Sequence, residues 1–303
     1  MNVTEKASLA SGSIALNVEE RAGVARTLAP VTAGVPFPEG ALVDGANVRL
    51  IDENGGEQPL QTEALGRWRD GSIKWLLVDF QTDVKANANR TWALQFGGDV
   101  QPVVPGERIE ITQGEEVIVV DTGTLRFEVP RQGRGLIRSI SRLDPESGAW
   151  QSVSREGARC RIFTPQLIVG KVRLHQDLEY FTEVRDAQVL TAGPLHAVIR
   201  VEGAHRSDKY EDLLRFQAEI HVYAGRPTIE IDYTVVNRLG NYLHPVDEPS
   251  DYFHQHMAQP SIGTIDIEIQ LDDGLRSYRL GMEEEEDLRG EVPEGAEVQL
   301  YQT

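Results

Sequence analysis

Over many short stretches of this chain, every second residue is apolar. From Ser13 onward Ile14, Leu16 and Val18 alternate with small or polar neighbours, the period of a strand with one buried face. Val48 and Leu50 repeat the pattern within residues 47–52, and Trp92, Leu94 and Phe96 within residues 90–96. Residues 25–32 form another extended run, but Pro30 suits an edge or a bend better than a central strand. Pro36 and Pro38 hold the chain extended and Gly40 releases it. The cluster Asp52-Glu-Asn-Gly-Gly56 reads as a turn, and residues 59–65 as resumed extended chain. Residues 73–80 are apolar on both faces except at Lys74 and Asp79, which predicts a central strand covered from two sides.

The sharpest local signal is Asp70-Gly71 between two β-rich runs, which predicts a hairpin with a two-residue type I′ turn. That register places Trp68 opposite Ile73, Arg67 opposite Lys74 and Leu65 opposite Leu76. The Arg67–Lys74 pair would then be two like charges across a ladder, unfavourable without a counter-charge from Asp79 or a ligand.

After residue 96 the chain runs through Gly97-Gly98, Pro102, Pro105 and Gly106, a turn-rich stretch that predicts a domain boundary. A second all-β series follows: residues 108–112, 117–121, 124–129, 136–143 with a bulge, 161–169, 172–181, 187–191 and 197–203. The two longest runs, 213–224 and 228–237, are joined by Gly225-Arg-Pro227. Residues 262–271 alternate cleanly, and 278–282 are a candidate to pair with them. No segment holds a helical period beyond about two turns, and no 20–50-residue repeat is visible. The expected fold is all-β: a small N-terminal β-barrel over residues 1–104, then an antiparallel β-sandwich over 105–303.

Length and charge narrow the partners. At 303 residues both domains can bury a core. The net charge of -18 disfavours nucleic acid and anionic membrane surfaces, and confines any site for an acidic ligand to a local basic patch. The N-terminal residues 1–12 lack the basic start and apolar core of a secretory signal, and no apolar run approaches the roughly 20 residues that span a bilayer. A soluble, cytoplasmic protein is expected. The single cysteine, Cys160, forms no internal disulfide and reads as a buried structural thiol rather than a nucleophile.

The motifs Val-Pro-Phe-Pro-Glu-Gly (35–40), Val48-Arg-Leu, Pro-Leu-Gln-Thr (59–62) and Arg-Trp-Arg-Asp-Gly-Ser-Ile-Lys-Trp (67–75) resemble the exo-rhamnogalacturonan-lyase-like family of polysaccharide lyases. The likeness is to that family's N-terminal module, a small β-barrel of the RIFT type. Residues 122–129 and 228–237 are similar to the central β-sandwich that follows it there. The resemblance implies a much longer protein, in which a large α-helical toroid supplies much of the substrate cleft. No segment here is helical enough to be that toroid, and the chain stops mid-pattern, so a fragment, or a gene that has lost the rest, is expected. Its partners would be a polysaccharide or oligosaccharide and, for a fragment, the C-terminal helical domain.

Eliminative cleavage of a uronate sugar needs a cation to neutralise the carboxylate and a base to remove the C5 proton. Arg67, Arg69 and Lys74 beside Trp68 and Trp75 offer cations next to aromatic faces. The plainer reading of the same residues is two core tryptophans and a rim of solvated charge. A second constellation runs from His244 through Asp247, Glu248, Asp251 and Tyr252 to His254 and His256, with Tyr242 and His221 nearby. In extended chain His254 and His256 share a face, as two imidazoles on one metal would. The plainer reading is a polar surface loop. Candidate binding residues are therefore Arg67, Lys74, His254 and His256, with no catalytic residue, metal or cofactor assigned. Residues 283–287 read as a solvated acidic turn, and Gly133-Arg-Gly135 lacks the strand–loop–helix context of a nucleotide site. The expected function is the N-terminal portion of a pectin-directed lyase, non-catalytic by itself; the alternative is a stand-alone carbohydrate-binding or structural β-module.

Overall fold

The computed structural model describes residues 11–169, 172–174, 177–208, 210–211, 214–236, 244–245, 258–274, 277–283 and 286–293. These contain no helix. They divide into two compact units: one holds the described residues up to Arg108 with Gly193–Leu195 and Ser277–Glu291, the other holds the remainder from Ile109.

The first unit is a pair of sheets around one core. Strands β1 (Gly12–Glu19), β2 (Arg26–Pro36), β3 (Val48–Asp52), β4 (Glu57–Gln58), β5 (Leu60–Arg67), β6 (Ile73–Val84) and β7 (Asn89–Phe96) pair in the orders β1-β7-β3-β4 and β2-β6-β5. All the pairings are antiparallel. The alternation at Val48, Leu50, Trp92 and Leu94 supplies one wall of the core, and Val35, Leu60, Ile73, Leu76, Val78 and Phe80 the other. Phe80 meets Trp92 edge to face, and Phe37 meets Phe96 in the same way, the arrangement the ring quadrupole favours. As expected, β6 is central and the Pro30-bearing β2 lies at an edge of the three-stranded sheet.

A buried carboxylate ties the β1–β2 connection to the β6–β7 turn. Glu20, 5% exposed, accepts from the backbone N–H of Asn87 (3.0 Å), Ala22 (3.1 Å) and Val24 (3.2 Å) and from Arg26 Nε (3.4 Å). The Asn87 amide above all holds its carboxyl below the ordinary value of 4.5.

The second unit is a sandwich. Its smaller sheet takes β8 (Glu110–Gln113), β9 (Val117–Asp121), β10 (Leu125–Pro130), β12 (Ser139–Leu143) and β13 (Trp150–Ser154), in the order β13-β12-β10-β9-β8. The short β11 (Gly133–Arg134) pairs instead with the larger sheet. That sheet follows β21-β20-β18-β17-β14-β24, where β14 is Ala158–Thr164, β17 Leu178–Ala192, β18 His196–Arg206, β20 Arg215–Tyr223, β21 Ile229–Val236 and β24 Thr264–Ile269. Small ladders involve β15 (Gln166–Val169), β16 (Val172–Leu174), β19 (Tyr210–Glu211), β22 (His244–Pro245) and β23 (Ala258–Ser261). The hairpin β25 (Ser277–Glu283)–β26 (Glu286–Glu291) clusters with the first unit.

Two expectations are corrected here, and one strand is added. Residues 172–181 and 187–191 are not separate strands of those bounds: Leu178–Ala192 is one strand with two bulges, at Val184/Asp186 and Val189/Thr191. Each bulge resets the alternation, so the apolar pattern looks broken although the strand continues. Residues 278–282 do not pair with the 262–271 run; they pair with β26, while β24 pairs with β14. Trp150–Ser154 is a strand that the alternation does not reveal, because only one of its five residues is fully buried.

Glu20→Gln tests the buried carboxylate. An amide offers one acceptor oxygen where the carboxylate offers two, which leaves donors unmatched. Because the folded-state pKa is lowered, the stabilisation is complete above the unfolded value and is lost as pH falls through the folded one. Thermal melts of the variant should show a lower midpoint at neutral pH and a shallower fall between about pH 5 and pH 3. An acid limb identical to wild type would contradict this role.

Candidate functional site

The Asp70-Gly71 hairpin forms, but with three loop residues instead of two. Trp68 N donates to Ser72 O (2.8 Å), and Gly71 N donates to Trp68 O (3.1 Å). Gly71 has φ of 87° while Asp70 stays at negative φ. A type I′ turn needs positive φ at both central residues; a tight turn closed by one left-handed glycine needs it once. Asp70 settles the matter with its side chain, since Oδ1 accepts from Ser72 N (2.9 Å) and Ser72 Oγ (2.5 Å). The Ser72 hydroxyl, with the Ser72 amide, holds the Asp70 carboxyl below its ordinary value.

The extra loop residue moves the register. Arg67 lies opposite Ile73, Gly66 opposite Trp75 and Ala64 opposite Leu76, so Leu65 and Lys74 are each left over in irregular steps. The expected facing pairs are thereby corrected, and Arg67 and Lys74 do not oppose each other. Ile73 and Leu76 both point into the core with 0% exposure, three residues apart in place of two. The two residues between them, Lys74 and Trp75, are both exposed.

This also corrects the reading of the tryptophans as core. Trp75 is 43% exposed, and Trp68 is half-buried with Nε1 donating to Phe37 O (2.9 Å). The core tryptophan is Trp92, at 2%. Lys74 Nζ stands 4.6 Å above the Trp68 ring, a cation–π contact, and has no ion pair among the described residues. Arg67 Nη1 donates to Gly71 O (2.8 Å) and Val43 O (3.1 Å), clamping the turn. On the neighbouring β2, Pro36 is the register partner of Trp75, and Gly34, without a side chain, lies close to the indole ring. Leu65 (56%) and Val43 (50%) are exposed in the same unit. The barrel therefore carries an exposed indole next to a lysine that is held in place yet unneutralised.

His254 and His256, with the rest of the 246–257 stretch, lie outside the described residues. The described histidines make two other groupings, which the sequence left unseen. On the outer side of the larger sheet, His196 Nε2 and His221 Nδ1 share a hydrogen bond of 3.1 Å. Their planes are 20° apart and their centroids 5.3 Å apart, so the rings lie edge to edge, not face to face. His196 stacks on Tyr223 at 4.7 Å. His221 Nε2 faces Asp232 Oδ2 (3.6 Å) and Glu219 Oε2 (3.9 Å), and Glu219 also receives Arg200 (2.8 Å). The visible signal was His221 and Tyr223 at i, i+2 on one strand face. On the inner side, His205 Nδ1 bonds Leu214 O (2.9 Å) and its Nε2 accepts from the Tyr233 hydroxyl (2.7 Å). Burial lowers the His205 pKa and raises that of Tyr233, so the pair is neutral and structural.

Cys160 is fully buried, and burial pushes its thiol up to about 11. No group of three or more His, Cys, Asp or Glu side chains among the described residues is arranged to hold a metal.

Comparison with known proteins gives these surfaces a family. Residues 17–93 match the PcRGLX-like N-terminal RIFT barrel domain, and residues 109–242 match the PcRGLX-like central β-sandwich domain. The two occur in the order expected of one protein, and together they cover more than half of the chain. The chain belongs to the PcRGLX-like proteins, the exo-rhamnogalacturonan-lyase-like family. A curated relative is the uncharacterized protein YetA of Bacillus subtilis (strain 168), 28% identical over 221 residues. That alignment takes in 72% of this chain and 24% of YetA, so the chain spans about a quarter of its relative's length. Among solved structures, a glycosyl hydrolase family 38 protein from Enterococcus faecalis matches 76% of this chain and 32% of its own. Its TM-score of 0.44 and 8% identity are too distant to bear on function.

Because Cys160 is inaccessible and held as a thiol, it should not react with a thiol-directed reagent in the native chain and should react once the chain is unfolded. Mass spectrometry of the labelled protein reads this directly. Stoichiometric labelling under native conditions would contradict the placement.

Proposed function

We propose that this chain is the barrel-and-sandwich portion of a pectin-directed polysaccharide lyase, acting on rhamnogalacturonan and not catalytic by itself. Its role is to support the catalytic region and to contact the acidic polysaccharide. The observation that carries this reading is the pair of consecutive domain matches, barrel then sandwich, in a chain whose alignment takes in 24% of a relative. The chemistry of the described side chains agrees. β-Elimination needs an accessible base beside a cation that neutralises the uronate carboxylate. One accessible cation, Lys74, has Trp68 and Trp75 beside it and no histidine or tyrosine in the same hairpin. Of the hydrogen-bonded pair His205 and Tyr233, the histidine is fully buried and the tyrosine half-buried.

The test is to incubate the purified chain with rhamnogalacturonan and follow ultraviolet absorbance of the unsaturated uronate product. No product is expected from the chain alone. Steady formation of unsaturated ends would overturn the non-catalytic reading.

A further inference from the structure

We infer that the outward face of the β5–β6 bulge is a binding subsite for a sugar acid, with Trp75 as the platform and Lys74 as the carboxylate partner. This rests on the function proposed above and deepens it by naming the surface and the ligand chemistry. Three observations support it.

The first is that Trp75 stands out of the barrel. A tryptophan on a central strand adjoining Ile73 and Leu76, both at 0% exposure, would by simple alternation belong to one face or the other. Two irregular steps in the β5–β6 register put both Lys74 and Trp75 outside. An indole that is 43% exposed offers a flat apolar face, which the C–H face of a pyranose ring covers well. Its Nε1–H makes no hydrogen bond among the described residues and remains a donor for a sugar hydroxyl.

The second is the state of Lys74. Its ammonium is placed by Trp68 and has no carboxylate partner among the described residues. The nearest acid in the turn, Asp70, is already occupied by the Ser72 amide and hydroxyl. In a chain of net charge -18, an exposed and unneutralised lysine beside an exposed aromatic ring is a selective feature, not background. Glu63 lies opposite Leu77 on the neighbouring strand and sets a limit, since it disfavours a ligand whose charges are not matched to Lys74.

The third is rigidity. Trp68 Nε1 is bonded to Phe37 O, Arg67 clamps Gly71 and Val43, and Ser72 Oγ accepts from Gly40 N (2.9 Å). The hairpin carrying the subsite is therefore organised before a ligand arrives, which lowers the ordering cost of binding. A pyranose stacked on Trp75 with its carboxylate towards Lys74 uses both features at once.

The experiment is isothermal titration of the whole chain with an oligogalacturonate, and separately with a neutral galacto-oligosaccharide of the same length. Wild type should bind the acidic sugar more tightly, and raised salt should narrow the difference. Lys74→Gln should weaken the acidic sugar by about tenfold and leave the neutral one unchanged. Trp75→Ala should weaken both by about tenfold or more. Trp75→Phe keeps a smaller ring; it should weaken both by a lesser factor with an unshifted melting midpoint, and it decides the matter if the alanine variant does not fold. Absence of binding by wild type, unchanged affinity in the folded Trp75 variants, or an equal effect of Lys74→Gln on both sugars would each overturn the subsite. The readouts are separable: unsaturated product from the chain sinks only the non-catalytic reading, whereas heat that ignores Trp75 sinks only the subsite.

Discussion

The surface chemistry of the barrel depends on one constraint, the register of β6 against β5. A β-strand sends successive side chains to opposite faces, so one unpaired residue exchanges inside for outside. Here the three-residue turn at Arg69-Asp70-Gly71 starts the ladder one step away from a two-residue hairpin. The irregularities at Leu65 and Lys74 then restore Leu76, Val78 and Phe80 to the core. The core is regular on both sides of that point, and the exposed residues are concentrated at it.

Electrostatics follow from the same geometry. In a two-residue register Arg67 and Lys74 would oppose each other and require an anion to be tolerable. In the observed register each has a different neighbour: Arg67 bonds two backbone carbonyls, and Lys74 lies over Trp68. The anion is thus not needed for stability, which leaves Lys74 free to engage one reversibly. Elsewhere the charged side chains are mostly matched. Arg159 with Glu268, Arg161 with Asp266 and Glu179, Arg200 with Glu219 and Arg206 with Glu183 cover the outer side of the larger sandwich sheet. Such pairs contribute little stability singly.

Much of the fold was legible in the residue pattern, because half-buried strands announce themselves by alternation. Ile14, Leu16 and Val18 of β1, Val48 and Leu50 of β3, and Ile229, Ile231, Tyr233 and Val235 of β21 all face as their spacing implies. The pattern misleads where a bulge adds a residue, as along Leu178–Ala192, and is silent where a strand is mostly exposed, as at Trp150–Ser154. Partner choice was less legible still: the acidic β25–β26 pairing joins residues whose own sequence carries little apolar signal. For the candidate surface, the residue types were visible but their direction was not. Lys74 and Trp75 stand out in the sequence, yet only the register shows that both face solvent. The His196–His221 contact is non-local, joining residues 25 positions apart, and no local motif encodes it.

The most direct measurement is hydroxyl-radical footprinting of the native chain, read residue by residue by mass spectrometry. With the observed register, Trp75 is oxidised readily, Trp68 less so and Trp92 hardly at all. Protection of Trp75 to the level of Trp92 would mean that the strand runs through this point without the outward step, and would contradict the account of both the barrel face and its chemistry.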